Sequence, residues 1–190
     1  MPFKQPAAGR RKIRAHFDDD TITVYQAFND EIVEAMLEKG RFVAPFSFER
    51  MTWIKPSFLW MMERSHYGTL PDQERTLAIR ITMEGWLEAL SNASLSTDAG
   101  SAAPVRVQWD PERDLKGNKL PQRSIQVGLG PSIVRRYVNE WIVDITDISD
   151  YVEELRELRE QGKFTRAQSM LPQERPWNPP PEIAKRIGMA

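Results

Sequence analysis

Cysteine is absent from this sequence of 190 residues. Its absence excludes disulfide bonds, thiolate catalysis and cysteine-ligated zinc or iron–sulfur centres. Histidine is scarce, because only His16 and His66 are present, and this argues against a histidine-rich transition-metal site. We therefore expect no metal cofactor, although carboxylate groups leave a magnesium or calcium site open.

Long apolar runs and an excess of one charge are also missing. The apolar runs are far too short to span a lipid bilayer, and we expect a cytoplasmic protein that does not bind membranes. The net charge is -1, so the chain as a whole does not attract nucleic acid or a membrane surface. Any basic binding site must therefore be a local cluster of Lys and Arg side chains.

The length and the distribution of residue types predict a single domain with two flanking segments. Residues 1–12 are rich in Lys and Arg without any acidic residue, and we interpret them as a basic N-terminal arm. Residues 13–165 form the predicted domain. Residues 166–190 contain a run of prolines, and we interpret them as a proline-rich C-terminal tail without regular structure over most of its length.

Hydrophobic periodicity predicts an α+β domain without a repeating βαβ pattern. Apolar residues at three- and four-residue spacing predict an amphipathic helix within 21–40, and Gly40 would end it. Alternation and β-branched residues predict strands at 75–82, 105–109 and 123–129.

Lys55 stands out because it lies in the apolar stretch 51–62 and directly precedes Pro56. Proline is favoured at the first position of a helix, so Lys55 would be the N-cap, where an ammonium group is a poor choice. The choice is explained if Lys55, the Ser57 hydroxyl and the amides of the first turn hold an anion such as phosphate. The alternative is a lysine at the rim of the core whose ammonium group reaches water.

Further polar residues could belong to the same site. Arg50 adds a second cation, unless it forms a surface ion pair with a neighbouring glutamate. Arg123 and Gln126 are polar groups on a predicted strand, and an edge strand would explain them equally well. Asp110 precedes a proline, as in many turns, but the same loop could supply a carboxylate to a site.

Several motifs together resemble the family called domain of unknown function 4291, over most of residues 13–175. They are IRAHFDDDTITVYQAF, RFVAPFSFERMTWIKPSFLWMMERS, VQWDPERD, RSIQVGLG and LPQER. This family in turn is similar to the ADP-ribosyltransferase superfamily. That similarity implies a single α+β domain with a split, mostly antiparallel sheet flanked by helices, and a cleft that binds NAD.

The resemblance also implies three catalytic positions. Arg14 on the first strand, Ser57 further on and Glu140 near a late strand match the residue types of the superfamily. The sequence contains no clean Glu-x-Glu or Gln-x-Glu pair, and Gln126 competes with Glu140 for the late position.

These observations predict an NAD-binding transferase, with NAD as a substrate. Its diphosphate would be held by Arg14, Lys55 and Ser57, together with nearby Arg50, Arg123 and Gln126. Tyr25 or Trp53 would stack on a ring, although packing in the core is the alternative for Tyr25. Glu140 would stabilise the positive charge that develops as nicotinamide leaves.

Two other functions remain open from the sequence. The same basic residues could hold the phosphates of a nucleic acid, or process RNA phosphates, while tryptophans stack on unpaired bases. A non-catalytic interaction domain, with RPWNPPPE docking on a partner as an extended helix, is the other possibility.

Overall fold

The computed structural model describes residues 10–98 and 100–189. Within these ranges the elements follow in the order β1 (Ile13–Ala15), β2 (Thr21–Phe28), α1 (Asp30–Lys39), β3 (Thr52–Ile54), α2 (Phe58–Ser65), β4 (Arg75–Thr82), α3 (Met83–Ser91), β5 (Ala93–Leu95), β6 (Val105–Arg113), β7 (Lys119–Leu129), α4 (Pro131–Arg136), a π-helical turn (Tyr137–Trp141), β8 (Ile142–Asp147), α5 (Ser149–Glu160), α6 (Phe164–Met170), β9 (Arg175–Trp177) and α7 (Pro181–Arg186). The predicted α+β class is confirmed. Most of the predicted basic arm, residues 1–9, lies outside the described residues.

A three-stranded antiparallel sheet has the strand order β2-β4-β8. The helix predicted within 21–40 is wrong in its first half, because residues 21–28 form β2. The alternation of TITVY buries Ile22 and Val24 on one face of the sheet, and β-branched residues fit a pleated surface well. Helix α1 begins after Asn29, whose side chain accepts from the backbone N–H of Ile32.

A four-stranded sheet has the order β3-β7-β6-β5, and all its pairs are antiparallel except β5 with β6. The prediction of a mostly antiparallel structure is therefore confirmed. The strands predicted at 105–109 and 123–129 are confirmed, and both extend further than predicted, as β6 and β7.

The two faces of the four-stranded sheet differ in polarity, because alternate residues of a strand point to opposite faces. Val107, Ile125 and Val127 pack into the main hydrophobic core. The opposite face carries Asp110 on β6 and Gln126 on β7. The polar face is the one that matters for the candidate site.

Among the described residues, a backbone bridge between Tyr25 and Lys55 joins the three-stranded and four-stranded sheets. The N–H of Tyr25 donates to the carbonyl of Lys55 at 2.8 Å, and the N–H of Lys55 donates back at 3.2 Å. The bridge fixes Lys55 at the junction of the two sheets.

The segment predicted as a proline-rich tail is instead part of the folded domain. Strand β9 pairs with β1, and Trp177, Ile183 and Ile187 are buried in the main core. The indole N–H of Trp109 donates to the carbonyl of Ile187 at 2.8 Å. The proline run 179–181 leads from β9 into α7 and supplies the first residue of that helix, where proline is tolerated, so it does not prevent the flanking residues from packing.

A second, smaller hydrophobic cluster holds helix α2 against α5. It contains Phe58, Met61 and Met62 from α2 together with Val152 and Leu155 from α5. None of the helices within residues 10–98 and 100–189 has the length and apolar character needed to cross a membrane.

Candidate functional site

Lys55 lies between the end of β3 and the start of α2, but it is not the N-cap. Helix α2 begins at Phe58, and Ser57 is its N-cap, with Oγ accepting from the backbone N–H of Trp60 at 3.2 Å. The prediction that Lys55 caps a helix beginning at Pro56 is therefore wrong. The hydroxyl of Ser57 can accept a hydrogen bond, which an ammonium group cannot do.

The ammonium group of Lys55 is a nearly buried cation, and the residue is only 7% exposed. Within the described residues it forms no ion pair and no side-chain hydrogen bond. Burial, with a smaller contribution from the nearby Arg64, lowers the pKa of Lys55 to about 8, and Asp110 acts in the opposite direction. Lys55 is therefore mostly charged at neutral pH and can lose its proton slightly above it.

The surroundings of Lys55 are the polar face of the four-stranded sheet. Ile54 on β3 pairs with Val127 on β7. The same antiparallel register, continued by one residue, places Lys55 next to Gln126. The Gln126 amide donates to Asp110 Oδ2 at 2.8 Å, and the Gln108 amide donates to the other oxygen at 3.1 Å. These contacts fix Asp110 on the same face as Lys55.

Trp53 lies on this face as well, two residues before Lys55. Its indole covers Gly128 so closely that a Cβ atom on the glycine would lie 2.9 Å from the ring. The ring is half-buried, so one part of it is accessible. The Lys55 face, defined by Trp53, Lys55, Asp110 and Gln126, thus combines a cation, a carboxylate, an amide and an aromatic ring.

Two glutamates lie close to the first turn of α2. Glu112 is 2% exposed, and its Oε1 accepts from the Ser57 hydroxyl and from the backbone N–H of Arg113, both at 3.0 Å. The backbone N–H of Phe58 donates to Glu174 Oε1 at 2.7 Å. The first-turn amide predicted to hold an external anion is therefore already bonded to a carboxyl group of the chain itself.

Glu174 has an unusual protonation equilibrium. Burial is the main reason that the pKa of Glu174 is raised to about 8; the hydrogen bond from Phe58 and the charge of Arg14 oppose the rise, and Glu112 adds to it. Glu174 therefore carries a proton at neutral pH. Glu174 and Arg14 both line a cavity of about 250 Å³.

Hydrogen bonds within the protein hold the three carboxyl groups at the site. Asp110, Glu112 and Glu174 each accept hydrogen bonds from amide or hydroxyl groups of the protein. In the part of the chain that the structure describes, no group of three or more His, Asp or Glu side chains could hold a metal ion. The site therefore provides the cationic group of Lys55 and the proton-donating carboxyl group of Glu174.

Tyr25 is the bridge partner of Lys55, but its ring packs into the second hydrophobic cluster, and Arg50 lies away from the Lys55 face. Tyr25 is 3% exposed and packs edge-to-face on Phe58 with 5.4 Å between the ring centroids, and burial raises the pKa of its phenol well above the usual range. Packing is therefore the role that the structure gives to Tyr25. Arg50 is exposed and lines a separate hollow with Phe28 and Asp72.

Arg123 and Glu140 also lie elsewhere. Arg123 donates to the carbonyl of Trp109 at 2.8 Å, and it points away from Gln126 because residues 123 and 126 face opposite sides of β7. Glu140 belongs to the π-helical turn and pairs with Arg136 at 3.0 Å on the surface. The structure thus places Trp53, Lys55 and Gln126 on one face, whereas Arg14 lines a cavity with Phe58 and Glu174.

Sequence reasoning missed three charged residues around Lys55 and Ser57, namely Arg64, Glu112 and Glu174. A helical spacing from Ser57 to Arg64 was visible, and Glu112 follows the noted Asp-Pro pair. Glu174 gave no local signal, because its contact with Phe58 joins residues 116 positions apart.

The motifs and their positions in the fold agree with a comparison against known families. No curated protein matches the chain. The family model described as "Domain of unknown function (DUF4291)" matches residues 12–177, which is most of the sequence. The match covers Lys55 and Ser57 near the start of α2, and also the two glutamates that contact this helix start, Glu112 and Glu174. The chain therefore belongs to the DUF4291 family.

Proposed function

We propose that the protein binds a phosphate-bearing nucleotide, NAD, on the Lys55 face and acts as an ADP-ribosyltransferase-like transferase. The observation that carries this proposal is Lys55, a nearly buried cation that forms no close ion pair among the described residues, although Asp110 is near enough to raise its pKa. Burying an unpaired charge costs free energy, and an anionic ligand would offset that cost. A phosphate group matches the charge and the donor geometry of an ammonium group.

Neighbouring groups add a second cation for a diphosphate and an aromatic ring for a base. Arg64 is exposed, lies close enough to Lys55 to lower its pKa, and forms no ion pair in residues 10–98 and 100–189. Lys55 and Arg64 would hold the two phosphates of the diphosphate. Trp53 offers a half-buried ring for stacking against a base or nicotinamide.

The transferase step needs a carboxylate beside the ribose. In that step the bond from ribose to nicotinamide breaks, its electron pair leaves with nicotinamide, and positive charge develops on the ribose until the acceptor binds and loses its proton. Asp110 is the carboxylate on the Lys55 face, fixed by Gln108 and Gln126. We assign this role to Asp110 rather than to Glu140, which pairs with Arg136 on the surface.

Calorimetric titration with NAD tests the proposal, because Lys55 has a well-matched control. We expect saturable binding to the unsubstituted protein and at least about a tenfold loss of affinity in Lys55→Ala, which is about 1.4 kcal/mol. Arg50→Ala removes a cation five residues away that lines a different hollow, and we expect it to bind NAD normally. Chromatographic detection of released nicotinamide, with water as the acceptor, reports turnover.

Two results would refute the proposal. The first is the absence of saturable NAD binding to the unsubstituted protein, and the second is equal affinity in Lys55→Ala and Arg50→Ala. A nucleic-acid function would need Arg50 and Arg123 beside Lys55, and the contacts of these residues do not favour it.

A further inference from the structure

A cavity of about 250 Å³ opens on the other side of the start of α2, where Glu174 contacts the first turn. Its polar side chains include Arg14 from β1 and Glu174. Its apolar wall consists of Phe58, Leu59, Leu171 and Pro172. The volume is below the usual range of drug-sized pockets, so the cavity suits a small molecule.

The two charged side chains of this cavity do not satisfy each other. No ion pair within 4.0 Å joins Arg14 to Glu174, and within the described residues the Arg14 guanidinium group forms no hydrogen bond. Glu174 uses Oε1 to accept from Phe58 and has no donor at Oε2 among the described residues. A cation and a carboxyl group therefore line one cavity with a gap between them.

We propose that this cavity is a second binding site, separate from the Lys55 face, for a small zwitterion of the α-amino acid class with an apolar side chain. Arg14 holds the ligand carboxylate, Glu174 accepts from the ligand ammonium group, and the apolar wall covers the side chain. Guanidinium–carboxylate pairing is the strongest type of hydrogen-bonded contact available here.

Binding of such a ligand changes the number of protons bound to the protein. The groups around Glu174 are Glu112, Arg14, Tyr25 and Tyr151, and burial raises the pKa of both phenols, which therefore stay neutral. Glu174 is protonated at neutral pH, because its pKa is raised to about 8. An arriving ammonium group favours the carboxylate form, so Glu174 releases its proton to solvent as the ligand binds.

Calorimetry with L-leucine at neutral pH, in two buffers with different enthalpies of ionisation, measures this release directly. We expect saturable binding in the millimolar range with release of a substantial fraction of one proton per leucine. 4-Methylpentanoate, which lacks the ammonium group, should bind more weakly and release none. Arg14→Gln should lose leucine binding, and Glu174→Gln should lose the proton release while its amide oxygen still accepts from Phe58.

Lys12→Gln and Lys55→Ala are the matched controls. Lys12 is an exposed cation two residues before Arg14, and Lys55 belongs to the other site, so both variants should bind leucine normally. Absence of leucine binding to the unsubstituted protein would overturn the proposal. Equal binding of 4-methylpentanoate, or unchanged leucine binding in Arg14→Gln, would overturn it as well.

Discussion

At the scale of single residues, Lys55 and Glu174 share an uncommon property, since burial brings the pKa of each to about 8. The directions are opposite, because burial disfavours the charged form of both an amine and a carboxyl group. At neutral pH Lys55 is mostly charged and Glu174 mostly neutral. Perturbed groups of this kind cluster at functional sites more often than elsewhere.

The raised pKa of Glu174 predicts a pH dependence of stability. Between the ordinary value of 4.5 and about 8, the folded protein binds more protons at this residue than the unfolded chain does. The free energy of unfolding contributed by Glu174 therefore falls as pH rises through that interval. Urea unfolding of Glu174→Gln at several pH values should show a more positive slope than the unsubstituted protein.

Lys55 does not interfere with this measurement. The folded pKa of Lys55 is about 8 and the ordinary value is 10.5, so the unfolded chain binds more protons only between these values. Stability contributed by Lys55 therefore rises with pH above about 8, outside the interval of Glu174. Parallel slopes for Glu174→Gln and the unsubstituted protein would contradict the assignment of a buried, protonated Glu174.

Sequence reasoning identified Lys55 because its anomaly is local, namely a cation next to a proline in an apolar stretch. The partners of Ser57 could not be found in this way. Glu112 lies 55 positions from Ser57, and Glu174 lies 116 positions from Phe58. Only the folded chain brings these residues together.

At the scale of elements, the start of α2 depends on Ser57 in two ways. The hydroxyl caps the helix by accepting from Trp60, and it donates to the buried Glu112. The loss of an N-cap costs about 1 kcal/mol. A buried carboxylate that loses a donor costs about a further 1–3 kcal/mol.

Ser57→Ala should therefore lower the free energy of unfolding by about 2–4 kcal/mol, the sum of the two contributions. Thr82 provides a comparison, because its hydroxyl caps α3 by accepting from Gly85 at 3.1 Å and has no buried carboxylate partner among the described residues. Thr82→Ser keeps that hydroxyl and Thr82→Ala removes it. The difference in stability between these two variants measures the contribution of the capping hydrogen bond alone. Urea unfolding of the three variants measures the difference, and a Ser57→Ala effect no larger than the Thr82 cap would contradict the second role.

The errors at this scale have identifiable causes. Residues 21–28 continue the three- and four-residue apolar spacing of α1, but Ile22 and Val24 alternate with threonines, and pairing with β4 decides in favour of the strand. Pro56 suggested a helix start, but Ser57 offers an accepting hydroxyl, and the helix begins one residue after it. At this position the capping side chain of Ser57, and not the proline, sets the start of the helix.

At the scale of the whole molecule, the C-terminal segment completes the fold. β9 pairs with β1, Trp177 packs edge-to-face on Trp86, and Ile187 accepts the indole hydrogen bond of Trp109. Truncation after Met170 would expose the part of the core that these residues cover. We expect the truncated protein to lose cooperative thermal unfolding, as measured by circular dichroism or calorimetry.

The same truncation distinguishes two interpretations of the C-terminal segment, namely a folded part of the domain and an appended tail. An appended tail would leave the melting temperature unchanged, and that result would contradict the packing described for Trp177 and Ile187. Hydrophobic periodicity predicted the fold class correctly, whereas proline content predicted this segment incorrectly. Proline content reports local backbone preference, whereas the burial of 177, 183 and 187 depends on surfaces formed by distant parts of the chain.

The order in which the chain is synthesised gives the contact between Phe58 and Glu174 a further consequence. A ribosome emits residues 52–65 long before residue 174, so a nascent chain carries Lys55 and the first turn of α2 without the carboxyl group that occupies its amide. The two sides of this helix terminus can form only after nearly the whole domain has emerged. Incomplete chains are therefore unable to bind at the Arg14–Glu174 cavity, and occupancy of that cavity would distinguish finished molecules from unfinished ones.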